Sequence, residues 1–104
     1  MDDEREPFVG ALEPAGDYDL IRFDSLDLSG QDAREARLTE CELVACTLDE
    51  TRLDDAHLVE TTLAGVHATT VHARGSVWRA VTLTECRLGA LLATGARADD
   101  VTIR

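Results

Sequence analysis

The chain has no lysine and few aromatic residues. Its basic residues are ten arginines, and aromatic side chains make up 4% of the 104 residues. A core must therefore be built mainly from leucine, valine, alanine and cysteine. No apolar run approaches the roughly 20 residues that a membrane-spanning helix needs, so we expect no membrane contact. The acidic start, MDDEREPF, differs from the basic and then apolar start of a secretory signal, which favours a cytoplasmic protein of one small domain.

Cysteine pairs with metal-ligand spacing are also absent. The three cysteines, Cys41, Cys46 and Cys86, are an odd number and form no CxxC pair. This pattern argues against a disulfide framework and against a zinc site. We expect the three thiols to act as small apolar side chains rather than in redox chemistry.

Charged residues are abundant in the sequence, and they are unevenly distributed along it. The net charge is −11, from 21 acidic residues and ten arginines. This balance disfavours direct binding to nucleic acid or anionic lipid and suits a basic partner. Residues 24–60 carry eleven acidic residues against three arginines, whereas residues 61–104 carry three against five. An acidic binding surface therefore belongs to the first half of the chain.

An apolar residue recurs at every fifth position from residue 23 onward. A five-residue step keeps side chains on one face of neither an α-helix nor a regular strand. The series is unbroken over 17 positions. Its members are Phe23, Leu28, Ala33, Leu38, Leu43, Leu48, Leu53, Leu58, Leu63, Ala68, Ala73, Trp78, Leu83, Leu88, Ala93, Ala98 and Ile103.

A second series, two residues earlier, holds small or apolar side chains, with Gln31 as the clear exception. Units such as CELVA, CTLDE and TRLDD resemble the pentapeptide repeat family, whose consensus is Ala-(Asp/Asn)-Leu-x-x. The resemblance covers residues 21–104. The second consensus slot matches only at Asp27 and Asp32, and the first is Ala at only three positions.

The resemblance implies an all-β fold, a right-handed quadrilateral β-helix of about four coils, over residues 21–104. Four pentapeptides would form one coil, and residues 20 apart would stack through parallel ladders about 4.8 Å apart. Residues 1–20 would be an acidic tail (1–6, disordered) and a cap (7–19). We expect the following large side chains to point inward: Phe23, Leu28, Leu38, Leu43, Leu48, Leu53, Leu58, Leu63, Trp78, Leu83, Leu88 and Ile103.

Tryptophan and histidine are residue types that often occur in binding or metal sites, but the repeat frame disfavours such a role here. Trp78 occupies an inward slot with small residues around it, so we expect core packing rather than an exposed binding residue. His57, His67 and His72 fall on three different sides of the square and do not converge on a metal. No catalytic grouping can be assembled from the outward residues of a convex rod. We therefore expect no enzyme activity, no cofactor and no metal.

Stacking places acidic residues in two neighbouring outward columns. Glu40 lies over Glu60, and Glu35 lies over Asp55. Like charges on adjacent strands are mildly destabilising, which indicates either a use or tolerance. The candidate partner-binding residues are Asp32, Glu35, Glu40, Asp49, Glu50, Asp54, Asp55 and Glu60.

Two functions remain open at this point. The first is a non-enzymatic protein-binding or scaffolding solenoid that acts through its acidic surface. The second comes from the resemblance: some pentapeptide repeat proteins mimic DNA, bind DNA gyrase and confer resistance to quinolones or other gyrase poisons. The final segment, ADDVTIR, is still in frame and has no covering element, so we expect either an end-to-end homodimer through the C-terminal coil or a sequence that is truncated.

Overall fold

The chain folds into short parallel strands stacked as a helix of square cross-section. The computed structural model describes residues 5–8 and 10–104. Over these residues it contains no α-helix, and hence no helix that could cross a membrane. The strands are β1 (Glu6–Pro7), β2 (Asp17–Asp19), β3 (Ile21–Asp24), β4 (Arg37–Thr39), β5 (Glu42–Val44), β6 (Thr51–Arg52), β7 (His57–Val59), β8 (Thr62–Ala64), β9 (His67–His72), β10 (Val77–Thr84), β11 (Arg87–Leu92) and β12 (Arg97–Ile103).

The strand register follows the pentapeptide frame. Leu38 pairs with Leu58, Leu58 with Trp78, and Trp78 with Ala98, so each step between coils is 20 residues. Four pentapeptides therefore complete one coil, and about four coils stack in parallel. The predicted quadrilateral β-helix is confirmed.

Each coil has four sides, which we number by their residues in the second coil. Side 1 contains residues 41–45, side 2 contains 46–50, side 3 contains 51–55, and side 4 contains 56–60. The strands β10 and β12 each run along side 4 and turn onto side 1, so these two sides belong to one nine-stranded sheet. Sides 2 and 3 carry a three-stranded sheet of β6, β9 and β11.

The last residue of each pentapeptide forms the corner, and its backbone is left-handed. Positive φ angles occur at every fifth residue from Gly10 to Gly95 and at Asp100, except at Thr70 and Ala90. Twelve of these corner residues are not glycine. A left-handed conformation costs a non-glycine residue about 1–2 kcal/mol. The fold therefore accepts strain at most corners in order to turn the chain by one side every five residues.

The core is a set of stacked columns formed by the third residue of each pentapeptide. These are the residues of the apolar series that begins at Phe23, and we call them the central residues. Phe23 is fully buried, and Leu28 and Leu58 are each 1% exposed. Leu38, Leu43, Leu48, Leu53, Leu63 and Leu83 are also buried. Leu88 is partly buried against this cluster. Ile103 differs from the expected buried residue: it pairs with Leu83 but is 78% exposed, because no described residue stacks below it.

Trp78 is accommodated inside the solenoid. It is 6% exposed and lies between Leu58 and Ala98 in the ladder. Its indole Nε1 donates to Ser76 Oγ at 2.8 Å, and Ser76 Oγ in turn donates to the Ala73 carbonyl at 2.6 Å. Both buried polar groups are thus satisfied, which keeps the cost of burying them low.

The small inward residue two places before the central one also forms a hydrogen bond between coils. Its hydroxyl or thiol donates to a carbonyl 23 residues earlier, which belongs to the central residue of the coil above. Thr51 donates to Leu28 at 2.8 Å, and Cys41 donates to Tyr18 at 3.2 Å. The same bond is made by Cys46, Thr61 and Cys86. Cysteine and threonine at this position therefore tie successive coils together.

The N-terminal turn is one pentapeptide short. Glu6 pairs with Ile21, an offset of 15 residues, whereas Tyr18 pairs with Leu38 at the usual 20. Gln31, the exception in the series of small residues, contacts this shortened turn. Its Oε1 accepts the Leu12 N–H at 2.8 Å. Residues 5 and 6, assigned to the disordered tail from the sequence, take part in this turn, whereas residues 1–4 lie outside the described residues.

Candidate acidic binding surface

The eight acidic candidates occupy three kinds of outward position. Five stand at corners, where φ is positive: Glu35, Glu40, Glu50, Asp55 and Glu60. Asp49 and Asp54 immediately precede a corner, and Asp32 immediately precedes a central residue. Sides 2, 3 and 4 therefore carry all eight, but their surroundings differ.

Asp32 forms an ion pair with an arginine on its own side of the coil. Arg34 donates from Nε and Nη2 to the two carboxylate oxygens of Asp32, at 2.9 and 2.8 Å, and the Arg34 backbone N–H donates at 3.1 Å. These hydrogen bonds lower the pKa of Asp32 and raise that of Arg34. Two parallel bonds to a guanidinium are the strong form of this interaction. Asp32 therefore contributes little free negative charge to the surface.

Asp49 and Asp54 are tied to the backbone of the next coil. Asp49 Oδ1 accepts the Thr69 N–H at 2.7 Å, and Asp54 Oδ1 accepts the Arg74 N–H at 2.9 Å. Asp49 lies where the corner conformation changes, since Glu50 has a positive φ and Thr70 does not. At this corner Glu50 N–H bonds the carbonyl of Thr70 rather than that of residue 69. The Asp49 carboxylate thus satisfies a donor at the junction between two corner types.

Glu50 forms a contact between coils with a histidine. Its Oε2 lies 2.7 Å from His72 Nε2 on the following coil. Both groups are solvent-accessible, so the pair is worth little energetically. It does occupy the Glu50 carboxylate, however, and separates it from the remaining candidates.

The other four candidates form two stacked pairs that flank side 4. Glu35 and Asp55 stand at its leading corner, and Glu40 and Glu60 at its trailing corner. We call these four residues the acidic columns. Stacking is set by the backbone, since Glu35 N–H donates to the Asp54 carbonyl and Glu40 N–H to the Val59 carbonyl, each at 2.9 Å. Among residues 5–8 and 10–104, no side chain hydrogen-bonds or forms an ion pair with these four carboxylates.

Side 4 between the columns is held rigidly by the ladder. Strands β4 and β7 pair in register there, with Arg37 against His57 and Thr39 against Val59. Arg37 and His57 are exposed. At the lower end of one column, Gly75 leaves room for the Asp55 carboxylate, which a side chain at residue 75 would meet. The surface therefore presents two acidic lines with Arg37 and His57 exposed between them.

Other chemistry-bearing residues do not assemble into a site. Cys41 and Cys46 are buried, and burial raises the pKa of both thiols. A raised thiol pKa lowers reactivity. Over the described part of the chain, no three His, Cys, Asp or Glu side chains are grouped to hold a metal ion.

The architecture defines the class of protein: a parallel, square β-solenoid built from five-residue units. A family model for pentapeptide repeats matches residues 22–58 with eight copies. Residues 22–58 therefore belong to the pentapeptide repeat family, and the 20-residue register continues the same architecture to Ile103. Solenoids of this family generally serve as non-enzymatic scaffolds in protein interactions.

The family match covers a smaller part of the chain than the strand register does. Beyond residue 58 the central position is often Ala, or Trp at residue 78, rather than Leu. Pairing nevertheless continues to Ile103. A comparison with curated proteins gave no match to the chain.

Proposed function

We propose that this protein binds a partner protein that presents basic side chains to the acidic columns on side 4. One observation carries the proposal: Glu35, Glu40, Asp55 and Glu60 hold free carboxylates at corners with φ of 63°, 52°, 58° and 50°. Glycine would relieve strain there. Stacked like charges add a further cost of some tenths of a kcal/mol. A basic partner would turn this repulsion into attraction.

The arrangement also favours selectivity. The backbone of these residues is fixed by a ladder rather than carried on a mobile loop, so little backbone entropy is lost when a partner binds. Arg37, which lies between the columns, would repel a uniformly basic surface. A partner with two basic lines, separated by an acidic or neutral strip, fits best.

A pull-down from cell extract tests the proposal with two matched variants. The first, E35Q/E40Q/D55N/E60Q, removes four charges from the acidic columns. The second, D32N/D49N/E50Q/D54N, removes four charges elsewhere and keeps the hydrogen-bond acceptors. We expect the first to lose the partner and the second to retain it. Equal loss in both would show that only net charge matters, and retention in both would exclude the columns.

DNA gyrase is a second candidate partner of the same chemistry, since its DNA-binding surface is basic. If the protein acts as a DNA mimic, it should inhibit supercoiling by purified gyrase, and reversal of the four column charges to lysine should abolish inhibition. An unmodified protein without effect on supercoiling would exclude gyrase. The pull-down would still decide whether the columns bind another protein.

A further inference from the structure

One histidine stands on side 4 between the acidic columns. His57 is the first residue of β7, two residues after Asp55 and three residues before Glu60. At the rise of an extended strand, these spacings place the backbone positions at most about 7 and 10 Å apart. The His57 side chain is exposed, and over the described residues its imidazole has no hydrogen-bond or ion-pair partner. It is therefore free to gain or lose a proton in the middle of this surface.

The strands on either side of His57 contribute few other charges. Arg37 of β4 pairs with His57 from the coil above, and the uncharged Val77 of β10 pairs with it from the coil below. Arg79, also on β10, pairs with Val59 and is two residues further along the strand. Carboxylates and guanidinium groups ordinarily keep their charge between pH 8 and pH 6, whereas histidine changes its charge near this range. His57 is therefore the group between the columns whose charge depends on pH under these conditions.

The other two histidines lie in different surroundings. His72 Nε2 is 2.7 Å from Glu50 Oε2, on side 3. His67 is exposed on side 2, where it is the first residue of β9 and pairs with Arg87 in the ladder. It has the same place in its pentapeptide as His57. Neither His67 nor His72 stands between the acidic columns, so His67 is a natural control for His57.

We propose that His57 makes binding at the acidic columns dependent on pH, an inference that rests on the proposed function. With a neutral imidazole, Arg37 is the positive group in the ladder between the columns. A protonated imidazole adds a second positive charge there and repels the basic side chains of the partner. In water, two charges about 7 Å apart change a binding constant by roughly three-fold. Affinity should therefore be higher at pH 8 than at pH 6, and the partner is released on mild acidification.

Titration of the chain with a fluorescent hexa-arginine peptide, at pH 8 and pH 6 in low salt, tests the proposal. The peptide keeps its charge at both pH values. We expect its affinity for the unmodified protein to fall roughly three-fold at pH 6. His57→Gln should bind equally well at both pH values, and His57→Arg equally weakly, because each variant fixes the charge at this position. His67→Gln, the matched control, should keep the full change.

The variant E35Q/E40Q/D55N/E60Q separates this inference from the proposed function. Unchanged binding of the peptide by this variant at pH 8 would show that the columns are not the site, and would overturn both. If binding does depend on the columns, a pH response that persists in His57→Gln, or disappears in His67→Gln, would overturn the role of His57 alone. The same conclusion would follow if the unmodified protein bound the peptide equally well at pH 8 and pH 6.

Discussion

The corner residue carries the conformation on which the whole fold depends. Its positive φ turns the chain from one side to the next, and the same residue projects its side chain outward. Glutamate or aspartate occupies the left-handed corner at seven places: Glu35, Glu40, Glu50, Asp55, Glu60, Glu85 and Asp100. Backbone strain and surface charge are therefore concentrated in the same residues, and substitutions there separate stability from binding.

Glu40→Gly should stabilise the protein while weakening partner binding. Glycine relieves the left-handed strain, offset in part by its greater freedom when unfolded, and repulsion from Glu60 is lost. We expect a net gain of up to about 1 kcal/mol in the free energy of unfolding, measured in urea. Thr70→Gly is the control, because Thr70 holds the same place in its pentapeptide without a positive φ and should lose stability. A similar loss in both variants would contradict the strain argument.

Asp32 should titrate at lower pH than an ordinary aspartate, because Arg34 binds its charged form. Removing the guanidinium with Arg34→Gln should raise the pKa of Asp32, measured by NMR of the side-chain carboxyl. The pKa of Asp27, lowered by hydrogen bonds from Ser29, should stay unchanged. Since the folded pKa lies below the unfolded one, the stabilisation exists at neutral pH and is lost as pH falls through the folded value. An unchanged Asp32 pKa in the variant would contradict this assignment.

At the scale of the elements, the junction between corner types is one of two places where an aspartate accepts a backbone N–H of the next coil. The units from residue 66 to 70 and from 86 to 90 run nearly straight through their corners, as β9 and β11. The coil above them turns with a left-handed Glu50. Asp49 accepts the Thr69 N–H at this junction, so this predicted binding residue also makes a structural contact.

Asp49 variants can distinguish that structural role from a role of charge. Asp49→Asn keeps an oxygen that can accept the Thr69 N–H, whereas Asp49→Ala leaves the donor to solvent. We expect Asp49→Ala to lower the free energy of unfolding by about 1 kcal/mol and Asp49→Asn to change it by less than half as much. Thermal unfolding followed by circular dichroism provides the measurement. Equal losses in the two variants would mean that the negative charge, and not the acceptor, stabilises the junction.

The fold could be predicted from the sequence because each pentapeptide has the same pattern. A buried central residue follows a small inward residue by two positions. What could not be predicted lies where outward side chains meet. Spacing puts Glu40 over Glu60, but it does not reveal that Arg34 engages Asp32 or that Asp54 accepts the Arg74 N–H. The shared slot of Gly30, Gly65, Gly75 and Gly95 pointed to the corner. The twelve non-glycine residues with the same φ gave no comparable signal.

For the whole molecule, the last described coil is the feature that bears on association, because β11 pairs only with β9 and β12 only with β10 among the described residues. Two such edges meeting would form a closed contact between two copies. The in-frame end of the given sequence favours this end-to-end dimer, and we propose it for this chain. Exposed, unpaired strand edges with apolar side chains are unfavourable in water, which provides the driving force.

Leu91 and Leu92 offer a closely matched test of the dimer, since they are neighbours with similar exposure, 42% and 46%. Leu91 occupies an inward slot at the open edge, whereas Leu92 occupies an outward slot on side 3. Leu91→Glu should therefore shift the dimer to single copies, while Leu92→Glu should leave most of it intact, as measured by sedimentation equilibrium. A single-copy mass for the unmodified protein at micromolar concentration would rule out the dimer. Dissociation by Leu92→Glu alone would instead place the contact on the outer face of side 3. The two copies would then pair side by side rather than end to end.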